Sequence, residues 1–87
     1  MVQVRYSDAF LKSTRKLPKE QQEKLASLIE LLQENPFHSQ LHAKHLAGKL
    51  SGLYSFRITR DWRVIFQFTS PQEIELLDVA NRKDIYR

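Results

Sequence analysis

The stretch YSFRITRDWRVIF, Tyr54 to Phe66, places an apolar residue at nearly every second position on either side of a short polar break. Successive side chains of a strand point to opposite faces, so this alternation reads as a β-hairpin. Tyr54, Phe56 and Ile58 share one face of the first strand, and Trp62, Val64, Phe66 and Phe68 share one face of the second. Those are the expected core faces. The opposite faces carry Ser55 and Arg57 on one strand, and Arg63, Ile65 and Gln67 on the other. Parity also sets the turn, because a slip of one residue would pair core positions with arginines. A two-residue loop at Arg60-Asp61 sets Arg57 opposite Val64 and fails. A loop centred on Arg60 pairs Ile58 with Trp62, Phe56 with Val64, and Arg57 with Arg63, and keeps both faces consistent. The expected register therefore sets two guanidinium groups side by side on the solvent face, where directly opposed like charges destabilise by roughly 0.2 to 1 kcal/mol. Two readings stay open: an anion belongs between them, or both splay into water with their stems on the sheet.

The chain has 87 residues, which is enough for one modest core and too little for two, so residues 1–87 are expected to form a single domain. Without cysteine it has neither disulfides nor thiolate metal ligands, and it suits a reducing compartment. The opening MVQVRYSDAF lacks a signal-peptide core and no stretch approaches membrane-spanning length, so a cytoplasmic protein with no membrane partner is expected. A formal charge of +4 favours polyanionic partners. Its distribution is more informative than its size: between Pro36 and Ser70 the cations are Lys44, Lys49, Arg57, Arg60 and Arg63, against Asp61 as the only acid.

Val2, Val4 and Tyr6 alternate with Gln3 and Arg5, as in a short opening strand. Ser7 or Asp8 reads as the cap of a helix running to about Lys16, with Phe10, Leu11 and Leu17 on its apolar side. Pro18 suits the first position of a second helix, in which Leu25, Leu28, Ile29 and Leu32 form one stripe, and which should stop at Asn35-Pro36. Residues 36–50 show no clear period, and Gly48 and Gly52 punctuate them as a loop. Glu73 to Val79 reads as a strand with apolar groups on both faces, hence one inside the sheet, and NRKDIYR follows as a tail. The expected fold is α+β: a small antiparallel sheet in the order β-α-α-β-β-β plus a C-terminal tail, with the N-terminal helical hairpin packed on one face.

His38, His42 and His45 would share a face only on a helix, which Ser39, Gln40 and the nearby glycine do not favour, and no acidic ligand lies close in sequence. Neither a metal nor a small-molecule cofactor is therefore expected. A Gly-rich phosphate loop, a nucleophile elbow and a paired-carboxylate arrangement are absent from the sequence. What remains is fixed positive charge beside a few proton-transfer groups: Lys44, His45, Lys49, Arg57, Arg63, Arg82 and Tyr86. That inventory suits a phosphate. Metal-free RNA cleavage needs a group to activate the ribose 2′-hydroxyl, cations for the phosphorane and a group to protonate the departing 5′-oxygen. Arginine suits the sheet positions because its fork matches phosphate oxygens bidentately.

LAGKLSGLYSFRITRDWRVIFQF, followed by LLDVANRKDIYR, resembles the bacterial RelE/ParE superfamily of type II toxins, in particular its RelE and YoeB-like branch. There an L-x-G-x-L-x-G-x-Y/W-S-x-R-I segment leads into a D/E-x-R-V/L-I/V-Y/F strand, and the chain ends in a V-G-H-R-x-x-V/I-Y type tail. The resemblance implies a ribosome-dependent mRNA endoribonuclease that makes rRNA contacts, inhibits translation and is neutralised by a cognate antitoxin. It implies that Arg57 and Arg63 grip the scissile phosphate, that Lys44 lies near the position of a base, that Tyr86 orients or stacks the substrate, and that Arg82 is a further catalytic cation. Lys49, Arg60, His45 and Lys83 are the expected RNA-binding set.

Asn81 stands where many members of that branch have a tail histidine, and it cannot transfer a proton at neutral pH. Acid catalysis would then fall to Arg82, Tyr86 or His45, or be weak, and Tyr86 could instead be a core anchor. Two alternatives stay in view: a ParE-like toxin that inhibits gyrase, and a noncatalytic module that binds RNA or the antitoxin.

Overall fold

The computed structural model describes residues 1–85. Strand β1 (Gln3–Tyr6) leads directly into helix α1 (Asp8–Arg15), and Ser7 makes the junction. Its Oγ accepts from the Phe10 N–H at 3.1 Å and donates to the Leu77 carbonyl at 2.8 Å, so one hydroxyl caps the helix and ties it to the sheet. Ser7→Ala should cost about 1 to 2 kcal/mol by losing both bonds, checked by urea unfolding. Helix α2 (Lys19–Glu34) stops at the expected place, with Asn35 as its C-cap, while Pro18, expected as its first residue, is instead its N-cap. Leu25, Leu28 and Leu32 of α2 join Phe10 and Leu17 in one cluster with Phe56, Val64, Phe66, Ile74, Leu76 and Val79, so the helical hairpin packs on one sheet face. Leu11, expected on that apolar side, is 42% exposed instead.

Strands β2 (Lys44–His45), β3 (Tyr54–Arg57), β4 (Trp62–Ser70) and β5 (Glu73–Asn81) complete a five-stranded sheet in the order β1-β5-β4-β3-β2. The class is α+β, as expected, with β5 inside the sheet. The sheet is corrected in two respects: it is mixed rather than antiparallel, because β1 pairs with β5 in parallel, and β2 adds a fifth strand. A parallel pair needs a long crossover, which the helices and the intervening strands provide.

The β3–β4 register is the one parity demands, with Phe56 opposite Val64 and Arg57 opposite Arg63. Between β4 and β5 the register shifts, so that Ile65 faces Asp78 while Phe66 faces Leu76. The extra residue, Leu77, lets Leu76 and Val79 reach the same core although they are three apart.

Residues 36–50 are more ordered than a loop. Short 3₁₀ turns at Ser39–Leu41 and Gly48–Leu50 flank β2, and Leu41 and Leu46 are buried. Gly48 and Gly52 hold φ of +68° and +92°, a region that side chains with a Cβ rarely adopt, and they turn the chain back into the hairpin. Beyond β5, helix α3 (Arg82–Ile85) is one turn with Ile85 buried, and Asn81 Oδ1 accepts from the Lys83 N–H at 3.0 Å. Among the described residues no helix is long and apolar enough to cross a membrane.

Candidate nucleic-acid interface

The second sheet face is where the cations gather. Arg57 and Arg63 face one another across β3 and β4, and Arg63 lies beside Ala80 of β5. Lys44 pairs with Ser55, two residues before Arg57, so strand alternation puts Lys44 on the face that bears Arg57. Arg82 arrives from the opposite direction: its N–H donates to the Asp61 carbonyl at 2.7 Å, fastening the start of α3 to the hairpin loop. Lys44, Arg57, Arg63 and Arg82 line one open cleft of about 300 Å³. These side chains come from three strands and one helix.

The sequence placed Arg63 on a solvent face. The structure corrects this: Arg63 is on the expected face but only 2% exposed, making it the largest fully buried side chain among the described residues. Arg82, at the start of α3, shares the cleft with it. A buried guanidinium held beside other cations concentrates positive potential in a site partly removed from water, where an anion is attracted far more strongly than at an exposed surface.

Arg60 and Lys83, two of the expected RNA-binding residues, line an adjacent cleft of about 410 Å³ with Asp61 and Arg82. Lys49 lies in a third, of about 430 Å³, formed where the 3₁₀ turn Gly48–Leu50 meets Asp84 and Ile85. His45 is not brought to the cationic face. It pairs with Tyr54, and its ring lies 5.0 Å from the Tyr54 ring in the aromatic cluster of the core side. Tyr86 lies outside the described residues. The three histidines do not converge: His38 Nδ1 accepts from the Gln40 N–H, His42 adopts a left-handed backbone, and no group that could hold a metal occurs among the described residues.

Sequence reasoning passed over one residue and saw only part of the role of another. Ser55 is completely buried, two positions from Arg57 and directly across from Lys44, and its Oγ has no hydrogen-bond partner among the described residues. Its spacing from Arg57 was the available signal. Asn81, read as a missing histidine, instead caps α3 and so helps set where Arg82 and Lys83 stand.

Residues 4–86 match the family described as the ParE toxin of the type II toxin-antitoxin system, parDE. The chain belongs to this toxin family. Its fold is that of the wider RelE/ParE superfamily. The YoeB/ParE toxin from Agrobacterium tumefaciens superposes with a TM-score of 0.78 at 20% identity, covering 93% of this chain and 99% of that one. YafQ from E. coli gives 0.78 at 19% identity over 100% of both chains. The archaeal RelE-RelB complex from Pyrococcus horikoshii gives 0.77 at 23% identity, covering 93% of this chain and 94% of that one. No curated protein sequence matches the chain significantly.

Proposed function

We propose that this toxin is a metal-independent mRNA endoribonuclease that acts on the ribosome and thereby inhibits translation, with a cognate antitoxin as its protein partner. The observation that carries the reading is the convergence of Lys44, Arg57, Arg63 and Arg82 on one cleft. Such a site offers little for acyl transfer or sugar hydrolysis, but it matches the charge that develops during cleavage of a phosphodiester. Arg57 and Arg63 hold the scissile phosphate between them, which relieves the crowding of their own charges. Lys44 is the acceptor for the proton of the 2′-hydroxyl. The 2′-oxygen then attacks phosphorus, the bond to the 5′-oxygen breaks, and a 2′,3′-cyclic phosphate and a 5′-hydroxyl result. Arg82 stabilises the phosphorane by hydrogen bonding; a guanidinium does not give up its proton in a protein. With His45 on the other face, the proton for the departing oxygen comes from Tyr86 or from water. The antitoxin assignment draws on the toxin family itself and on the likeness to the Pyrococcus RelE-RelB complex.

A gyrase-inhibiting toxin is the second reading, favoured by the ParE description of the matching family. One experiment separates the two. The chain is induced without its antitoxin, message ends are mapped by primer extension, and gyrase supercoiling and DNA breaks are assayed in parallel. The nuclease reading expects new 5′ ends within translated messages before any DNA damage. Intact messages together with blocked supercoiling would overturn it in favour of the gyrase reading.

A further inference from the structure

Arg82 lines two clefts at once. On one side it meets Lys44, Arg57 and Arg63; on the other it meets Arg60, Asp61 and Lys83. The shared wall is fixed in place, because the Arg82 N–H is bonded to the Asp61 carbonyl at 2.7 Å and Lys83 is held by the Asn81 cap at 3.0 Å. The hairpin loop and the start of α3 thus form a single joint between two adjacent cationic basins.

We propose that the second basin is a subsite for the phosphate next to the scissile one, so that the ligand is a single-stranded RNA segment with at least two consecutive phosphates. The proposal rests on the nuclease reading of the first basin. Consecutive phosphates of one strand repel each other, and a bound strand gains most where cations stand both at each phosphate and between the two. Arg82 occupies the between position, Arg57 and Arg63 serve the first phosphate, and Arg60 and Lys83 serve the second. Asp61 is the odd member of the second basin. Its carboxylate opposes a phosphate there and lowers affinity below what the cations alone would provide.

The test uses the intact chain, freed of antitoxin, and non-cleavable 2′-deoxy oligonucleotides: a dinucleotide with one phosphate and a trinucleotide with two. Affinity is measured across a salt series. For single strands each additional contacted phosphate steepens the slope of log affinity against log salt by about 0.7. The trinucleotide should show that increment over the dinucleotide in the parent chain. An Arg60→Ala, Lys83→Ala double variant should lose the increment between the probes, whereas Arg57→Ala should weaken both probes alike. Asp61→Asn should tighten trinucleotide binding more than dinucleotide binding. If the parent binds both probes and the double variant keeps the full increment, the subsite is wrong while the nuclease reading stands. If the parent binds neither probe, the RNA reading itself fails and the subsite fails with it.

Discussion

If the toxin is the proposed nuclease, Arg63→Gln is expected to leave it folded and to slow mRNA cleavage by about 10² to 10³, the usual consequence of removing one preorganised donor to transition-state charge. Glutamine is the informative replacement because Arg63 is buried. Alanine at a position that is 2% exposed would open a cavity, and a loss of activity could then reflect a damaged sheet. Glutamine keeps more of the side chain than alanine does, while removing the charge and the guanidinium donors. Relief of the repulsion from Arg57 directly opposite offsets part of whatever packing is lost. Thermal melting establishes that the variant is folded, and growth arrest and message ends are then scored without antitoxin. A folded Arg63→Gln protein that cuts at the parental rate would sink the catalytic assignment. A variant that cuts no message yet still arrests growth through DNA damage would point to gyrase.

Arg63 also illustrates what the chain discloses and what it conceals. Its register was legible, since only one pairing of β3 with β4 keeps Phe56, Val64 and Phe66 on one face, and that pairing is the one observed. Its burial was not, because alternation within a hairpin carries no information about what the rest of the chain brings to that face, and Arg82, which shares its cleft, comes from well beyond the hairpin. The β4–β5 bulge left only a trace, the adjacent apolar pair Leu76 and Leu77, which reads as a strand buried on both faces. The inserted residue instead brings Leu76 and Val79 into one core.

The site was legible to a similar depth. Lys44, Arg57, Arg63 and Arg82 stand out as cations in a basic half and its tail, and they do meet. His45 was grouped with Lys44 because β2 went unrecognised; two residues are too few to display a period. Once β2 is known, the grouping dissolves, since adjacent strand positions point to opposite faces and Lys44 and His45 must part. The same alternation explains Ser55. It is a small polar residue two positions before Arg57, flanked by Lys44 and Ile65 on neighbouring strands, and it is fully buried.

Leu41→Ala should be among the most damaging single changes in the chain, although it falls in a segment with no visible periodicity. Leu41 closes the 3₁₀ turn Ser39–Leu41 and is 0% exposed, in the cluster that holds Leu32, Phe56 and Phe66. Truncating a buried leucine removes its transfer free energy and leaves a void that the sheet and α2 cannot both close, at a cost of about 2 to 5 kcal/mol. For a domain of this size that lowers the melting temperature by at least about 10 °C. The side chain also anchors the stretch leading to Lys44, because β2 begins three residues later. Loss of the anchor should therefore reach the cationic cleft before the domain melts. The measurement is a pair of curves on one sample, unfolding followed by calorimetry and binding of a non-cleavable oligonucleotide followed over the same temperatures, with binding expected to fall first. A Leu41→Ala protein that melts within a degree or two of the parent would mean that residues 36–50 are a surface loop after all, and that Lys44 is held by β2 pairing alone.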